Sequence, residues 1–553
     1  MIGAELLLKC LEEKNVDKVF GIPGGVLLPL YDVLPKSKIE HILMRHEQGA
    51  VHAADGYARS TGRVGVCFAT SGPGATNLLT GLGTAMMDSV PIVAITGQVA
   101  QHLIGKDSFQ EADTVGFSLS STKYNYLVKD AADIPNIVNE AFYIAQNGRP
   151  GPVLIDVPKD VLVQIVTKTN KVEVRKHVEK KLAKPKININ QLNKAVKMIR
   201  ESKKPLIIAG GGVIMGEAEN QLEEFADKLQ IPVAVTLKGK GAISAENPLF
   251  LGMVGMHGTV KGNYAIQESD VIIAIGMRFS DRVIGRVDGF APNAQIIHVD
   301  LEAAEIDKNV TTDIPIVGDC REFLEEAGSH IEQTLDTEKW LDMISLITKA
   351  KEIPEQGIQP ESLLEMINDT IDDQTIIVTD VGQHQMWSAL YLHPKCRKSF
   401  LTSGGLGTMG FGLPAAIGAQ VANPDKRVVL ITGDGSFQMN LQELAIVRQY
   451  NLPITIILMN NGCLGMVRQW QELFHSENYS QTIFDFSPDW DFLAKAYGIK
   501  GAEIREQKDV SKVFTESYES RKPSLLDYRI DCGANVFPMV PAGCSLDEVW
   551  GCK

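Results

Sequence analysis

Short, continuously apolar runs recur along the chain at 64–69, 92–96, 153–157, 206–209, 271–275, 376–379, 428–432 and 454–459. Each is short for a core helix and does not alternate with polar residues, so each predicts a strand covered on both faces. Between them lie stretches with helical spacing of apolar residues, beginning with Ala4 to Glu13. Such alternation predicts an α/β fold built from doubly wound parallel sheets. Two stretches interrupt it: 168–186, rich in Lys, Val and Glu, and 336–359, which is charged and holds one helical segment. Reading both as connectors gives three doubly wound domains, 1–165, 186–330 and 358–530, and a tail at 531–553. Kinship between the first and third domains is not visible in the residues.

Composition narrows the partners. A chain of 553 residues has room for several domains, and 44% hydrophobic with 22% charged residues is ordinary for a globular protein. The net charge of −14 argues against nucleic acid, whose phosphates need clustered Lys and Arg. Eight cysteines without a Cys-x-x-Cys pair point to a reduced, intracellular protein, and the irregular spacing of Cys532, Cys544 and Cys552 reads as incidental thiols. The start lacks a signal pattern, and no apolar run reaches the ~20 residues of a membrane span, so a cytoplasmic location with no membrane partner is expected.

The strongest chemical signal is Gly433-Asp434-Gly435-Ser436 at the end of the strand 427–432. A helical stretch at 438–450 follows, then a strand ending in Asn460-Asn461, with 24 residues between Gly435 and Asn460. Glycines beside Asp434 let the backbone approach phosphate oxygens, and a helix start offers N–H groups to the anion. Asp434 and Asn461 supply one charged and one neutral oxygen, the hard ligands that Mg²⁺ shares with phosphate. Either turn alone is unremarkable; the pair, each behind an apolar strand, predicts a diphosphate site at the carboxyl ends of adjacent parallel strands. A candidate acid lies in Arg45-His46-Glu47-Gln48-Gly49-Ala50, where the strand 39–44 meets a small-residue helix ending near Arg59.

The Gly-Asp-Gly…Asn-Asn pattern resembles that of the thiamine-diphosphate enzymes. Further segments resemble the acetohydroxyacid synthases in particular, from about residue 3 to residue 548. They include Phe20-Gly21-Ile22-Pro23-Gly24-Gly25, Thr70-Ser71-Gly72-Pro73-Gly74, Gly105-Lys106-Asp107-Ser108-Phe109-Gln110-Glu111 and Gly404-Gly405-Leu406-Gly407-Thr408-Met409-Gly410. The resemblance implies that Glu47 is the activating acid, facing the aminopyrimidine of thiamine diphosphate. It places Pro23, Gly24, Pro73 and Asn77 with Glu47 at the cofactor. Gly382, Gln383, His384, Gly407, Met409, Gly433, Asp434, Gly435, Ser436, Asn461, Cys463, Leu464, Gly465 and Met466 would hold the rest of it. Mg²⁺ would take Asp434, Asn461 and the backbone carbonyl of Cys463. The substrate would meet Gly25, Phe109, Gln110, Lys159, Arg278, Met466, Val467 and Trp470, with Trp470 favouring 2-ketobutyrate as acceptor.

A largely structural FAD is implied in the central domain. It would lie near Arg149, Gly210, Gly211, Gly212, Gly255, Met256, His257, Gly276, Arg278, Asp281, Arg282, Asp300 and Asp319. Gly210-Gly211-Gly212 is not a dinucleotide fingerprint, since Met215 stands where the third glycine belongs. Ser280, Ala100 and Cys463 depart from the family's usual residues, Ser280 bearing most on the flavin. The implied activity is decarboxylation of pyruvate and ligation of the two-carbon fragment to pyruvate or 2-ketobutyrate, the first common step of branched-chain amino acid biosynthesis. The implied assembly is a homodimer or tetramer with sites at the dimer interface, with room for a small regulatory subunit. A flavin-using pyruvate oxidase, a simple decarboxylase and a non-catalytic cofactor-binding protein are the competing readings.

Overall fold

The apolar runs become strands because both of their faces are covered. Gly65–Ala69, Ile92–Gln98, Val271–Ile275, Val428–Gly433 and Ile454–Asn460 are buried at every residue. A computed structural model describes residues 1–170, 172–347 and 357–551 and places these strands in three six-stranded sheets. Every strand pair registered between neighbours is parallel.

The first sheet runs Glu40–Leu43, Lys18–Gly21, Gly65–Ala69, Ile92–Gln98, Val153–Pro158, Tyr124–Leu127. The third runs Phe400–Leu401, Ile376–Thr379, Val428–Gly433, Ile454–Asn460, Ser524–Arg529, Lys500–Ile504. Numbered in chain order within each sheet, both read 2-1-3-4-6-5. The kinship hidden in the sequence is therefore explicit in the topology. The central sheet reads 6-5-4-1-2-3, from Ile314–Val317 to Phe250–Met253, the order of dinucleotide-binding sheets.

The first and third sheets share a core. Phe20, Ile42 and Leu154 belong to the same buried cluster as Val378, Leu430 and Ile456. Helices Glu47–Thr61 and Gly412–Ala422 make the joint, and only small residues allow their approach. A Cβ on Gly56 would lie 2.1 Å from the Ala415 carbonyl oxygen, and one on Gly418 would lie 1.9 Å from that of Ala53.

A buried charge cluster fastens the central unit to this pair. Asp88 meets Arg59 at 3.0 Å and Lys238 at 3.2 Å, and accepts the backbone N–H of Gly404 (3.1 Å) and Gly405 (2.7 Å). Arg59 also pairs with Asp55. One carboxylate thus binds segments from all three sheet units and anchors the loop that leads to Gly407 and Met409.

Two expectations need correction. The stretch at 438–450 is not one helix: a four-residue helix Asp434–Phe437 precedes a 3₁₀ turn, Leu441–Glu443, and the helix Leu444–Gln449. Asn440 interrupts it by turning inward to donate to the Gly410 carbonyl at 2.8 Å. The 168–186 connector carries the helix Lys176–Leu182, whose Val178 is buried on the first unit's core. The tail is packed: Val540 N–H donates to the Met256 carbonyl at 2.7 Å, and Arg286 N–H to that of Cys544 at 3.0 Å. Cys552 lies outside the described residues.

Candidate active site

Glu47 opens the helix Glu47–Thr61, directly after the edge strand Glu40–Leu43. Its carboxylate is half-buried and accepts from the Asn77 side-chain amide at 2.9 Å. Asn77 belongs to the short helix Pro73–Asn77, and a Cβ on Gly74 would stand 3.3 Å from the Glu47 carboxylate. Pro23 and Gly24 follow the neighbouring strand Lys18–Gly21; Gly24 lies against Thr70, whose hydroxyl is buried without a partner. Glu47, Asn77, Pro23, Gly24 and Pro73 therefore collect at the carboxyl edge of the first sheet.

Glu443, which sequence reasoning missed, sets the approach to Glu47. Its carboxylate is fully buried and accepts the backbone N–H of Arg45 (3.2 Å to both oxygens) and of His46 (3.0 Å). Burial pushes it up to about 7, against the pull of those backbone donors and Arg45. A glutamate of the third unit thus fixes the two residues that precede Glu47. No local signal marks it, because both donors lie 397 and 398 residues away.

At the carboxyl edge of the third sheet, Gly433 and Met459 are register partners, so Asp434 and Asn460-Asn461 leave adjacent strands side by side. Asp434 is buried and its Oδ2 has no hydrogen-bond partner. Burial raises its pKa to about 6, while the backbone N–H groups of Gly435 and Asn461 pull it the other way. His384 is also buried with Nε2 unpartnered. Buried polar atoms normally find partners, so this pair marks a place for a polar ligand. An orphaned carboxylate oxygen is suited to a cation, and an orphaned imidazole nitrogen to an anion's oxygen or to water.

The neighbours of this pair are tightly held. Asn461 donates to the Gln383 side chain at 3.0 Å and accepts Cys463 N–H at 3.2 Å. Gln383 in turn donates to Gln469 and to the Ala534 carbonyl, each at 2.9 Å. Asp380, buried and also missed, accepts Gly410 N–H at 2.9 Å, and Ser436 accepts the same N–H at 3.1 Å. Together they fix the end of the Gly404–Gly410 loop beside Met409. The helix start at Asp434 spans four residues, so backbone N–H groups rather than a long helix dipole face this position.

The acceptor candidates sit on the helix Gly465–Phe474, where Met466 and Trp470 are half-buried and Val467 is exposed. Arg282 of the central unit stacks on the Trp470 ring at 5.5 Å. Asp281 pairs with Arg282 at 3.8 Å, and Arg278 is half-buried. Phe109 is 88% exposed, Gln110 is half-buried and packs on Gly72, and Lys159 is exposed at the end of Val153–Pro158.

In the central sheet, Gly210, Gly211 and Gly212 leave the strand Pro205–Ala209 at the point where strand order reverses, opposite Gly276. A Cβ on Gly212 would lie 2.6 Å from Gly276 Cα, so the two turns pack backbone against backbone and glycine is required there. Gly255 and Met256 lie beside Arg282, and His257 meets the Pro538 carbonyl at 3.3 Å. Arg149 bonds Ser89 at 2.8 Å and Glu305 at 3.3 Å, linking the first and central units. Asp300 accepts Glu302 N–H at 2.8 Å, and Asp319 caps the helix Cys320–His330 and meets Lys184 at 2.7 Å.

Three parallel sheets, with an orphaned carboxylate and a glutamate on the carboxyl edges of two that share one strand order, define a thiamine pyrophosphate enzyme. Models of that family match as its N-terminal binding domain at residues 1–117, its central domain at 192–327 and its C-terminal binding domain at 380–528. The large subunit of acetolactate synthase from Lactococcus lactis is 46% identical over 99% of this chain and 96% of its own length. The isozyme 2 large subunit from Escherichia coli is 45% identical over 99% of both chains, and a probable large subunit from Methanococcus aeolicus is 46% identical over 99% and 95%. The chain belongs to the acetolactate synthase large subunits. Among the described residues no helix is long and apolar enough to cross a membrane.

Proposed function

We propose that this chain decarboxylates pyruvate and ligates the two-carbon fragment to pyruvate or 2-ketobutyrate, the first common step of branched-chain amino acid biosynthesis. The observation that carries the reading is the buried, partnerless Asp434 Oδ2 beside Asn461, in a chain matched end to end by acetolactate synthases. Asp434, Asn461 and the Cys463 carbonyl would hold Mg²⁺ on the diphosphate of thiamine diphosphate, with His384 and the Gly433–Ser436 backbone at its oxygens. When bound, that cofactor supplies the electron sink that lets a 2-keto acid lose carbon dioxide. Glu47, steadied by Asn77, would face the aminopyrimidine ring of the bound cofactor and hold or give up a proton there. Met466, Val467 and Trp470 shape the acceptor pocket and keep water out, and Arg278 offers its planar fork to a carboxylate.

FAD would lie at the carboxyl ends of the central sheet, where strand order reverses beside the Gly210–Gly212 turn. The working assembly is a homodimer or tetramer in which Glu47 of one copy serves the Asp434 set of another. Two exposed apolar side chains support this: Phe109, 88% exposed on the first unit, and Val467, 48% exposed on the third. The relatives' name, large subunit, suits a small regulatory partner here too. The free thiols suit a reducing cytoplasm. Incubation with pyruvate, thiamine diphosphate and Mg²⁺ should yield acetolactate and stop on chelation of the metal. Acetate would favour the flavin-using oxidase, and acetaldehyde the simple decarboxylase.

A further inference from the structure

Cys463 and Cys532 come from different segments, yet their Sγ atoms lie 3.2 Å apart. Cys463 is buried two residues after Asn461, and Cys532 is half-buried where the chain leaves the strand Ser524–Arg529. Both segments are fastened to one network: Asn461 donates to Gln383, Gln383 donates to the Ala534 carbonyl, and Val536 N–H donates to Gln469 at 2.9 Å. A bond between the two sulfurs would tie the residues around Asn461 to the segment that carries Ala534 and Val536.

We propose that Cys463 and Cys532 form a reversible dithiol–disulfide site, oxidised by low-molecular-weight disulfides, which disengages the Asn461–Gly465 loop when cross-linked. The consequence for cofactor binding rests on the assignment of that loop to the metal and diphosphate. The chemistry balances by exchange. The more accessible Cys532 thiolate attacks the small disulfide and releases one thiol. The released thiolate takes the Cys463 proton, and Cys463 Sγ then attacks Cys532 Sγ and displaces the second thiol. Two protein thiols are oxidised, one small disulfide is reduced, and the two protons leave on its thiols. Bonded sulfurs stand about 2.05 Å apart, so closure brings the two sulfurs roughly 1 Å nearer each other. In a reducing compartment such a link is transient, as suits a sensor.

The test treats the full-length protein with glutathione disulfide and maps its peptides. Mapping is needed because Cys396 and Cys544 are also partly exposed. The expected result is a 463–532 cross-link, a fall of about tenfold or more in Mg²⁺-dependent uptake of thiamine diphosphate and in turnover, and recovery with dithiothreitol. Cys532→Ser should keep its turnover and ignore the oxidant. The proposal is overturned if Cys532 carries only a glutathione adduct, if the cross-link forms without changing cofactor uptake, or if Cys532→Ser is equally sensitive. Should untreated protein show no Mg²⁺-dependent uptake, the functional reading fails, while the mapped cross-link and its reversal still decide the dithiol site.

Discussion

Replacing Glu443 by Gln keeps the shape of a fully buried side chain and removes its ability to ionise. The wild-type carboxyl sits against the backbone of Arg45 and His46, and burial lifts its pKa from 4.5 to about 7. An unfolded chain releases this proton near the lower value and the folded chain near the higher one. Between them the folded state holds more protons, so this group's contribution is fully present below the lower value and is lost as pH rises through the higher. The interval from 4.5 to about 7, at about 1.4 kcal/mol per pH unit, amounts to roughly 3 kcal/mol. Glutamine carries no such proton, so Glu443→Gln should gain on wild type by that amount across the window. Thermal unfolding of both proteins from about pH 5 to pH 8 at constant ionic strength reads this directly, as an apparent Tm difference that swings by roughly 2–3 degrees toward the variant. A difference that stays flat across the window would show that the carboxyl ionises normally despite its burial, and would refute the raised pKa.

Glu47→Gln should lower kcat by about 10²–10⁴-fold while thiamine diphosphate still binds; near-normal turnover removes Glu47 from the mechanism. Asp434→Ala should abolish the Mg²⁺ dependence of thiamine diphosphate binding measured by calorimetry, and an unchanged dependence would falsify its role as a metal ligand. Asp88→Ala leaves two backbone N–H groups without an acceptor and Lys238 without its carboxylate, while Arg59 keeps Asp55, so unfolding should become easier by about 3–5 kcal/mol. A change within the scatter of surface substitutions contradicts the junction. Trp470→Leu should shift the product ratio from mixed pyruvate and 2-ketobutyrate by about tenfold or more, and an unaltered ratio places Trp470 outside the acceptor pocket.

What the sequence disclosed, and what it hid, follows from the range of the interactions. Runs such as Val428–Gly433 are apolar because both faces are covered, so their burial is written locally. Edge strands such as Tyr124–Leu127 and Phe400–Leu401 are short and partly exposed, and they leave no comparable trace. Asp434 and Asn461 could be found because their glycine and strand contexts are contiguous. Glu443 and Asp88 could not, because a single acid beside a helical pattern reads as a solvated face until the distant backbone donors are in place. Asn440 misled for the same reason: its partner, the Gly410 carbonyl, is 30 residues away, and periodicity alone continued the helix through it. Cys532 read as an incidental thiol until the fold set it against Cys463.

The repeated strand order also explains how one topology serves two kinds of chemistry. Where order reverses in a parallel sheet, the loops diverge and leave a crevice at the carboxyl ends. In the first sheet those loops are Ile22-Pro23-Gly24 and Thr70-Ser71-Gly72, which carry no charge; the acid arrives from the edge strand as Glu47. In the third sheet the matching loops are Val381-Gly382-Gln383 and Asp434-Gly435, and the acid stands at the crevice itself. An uncharged wall with one lateral carboxyl suits a flat heteroaromatic ring, whereas a buried carboxylate among backbone N–H groups suits a cation carrying an anion. A cofactor with both ends needs both edges. The shared core directs each chain's two edges by rigid packing of small-residue helices, so loosening that joint, as a larger side chain at Gly56 or Gly418 would, should cost activity before either edge loses a ligand.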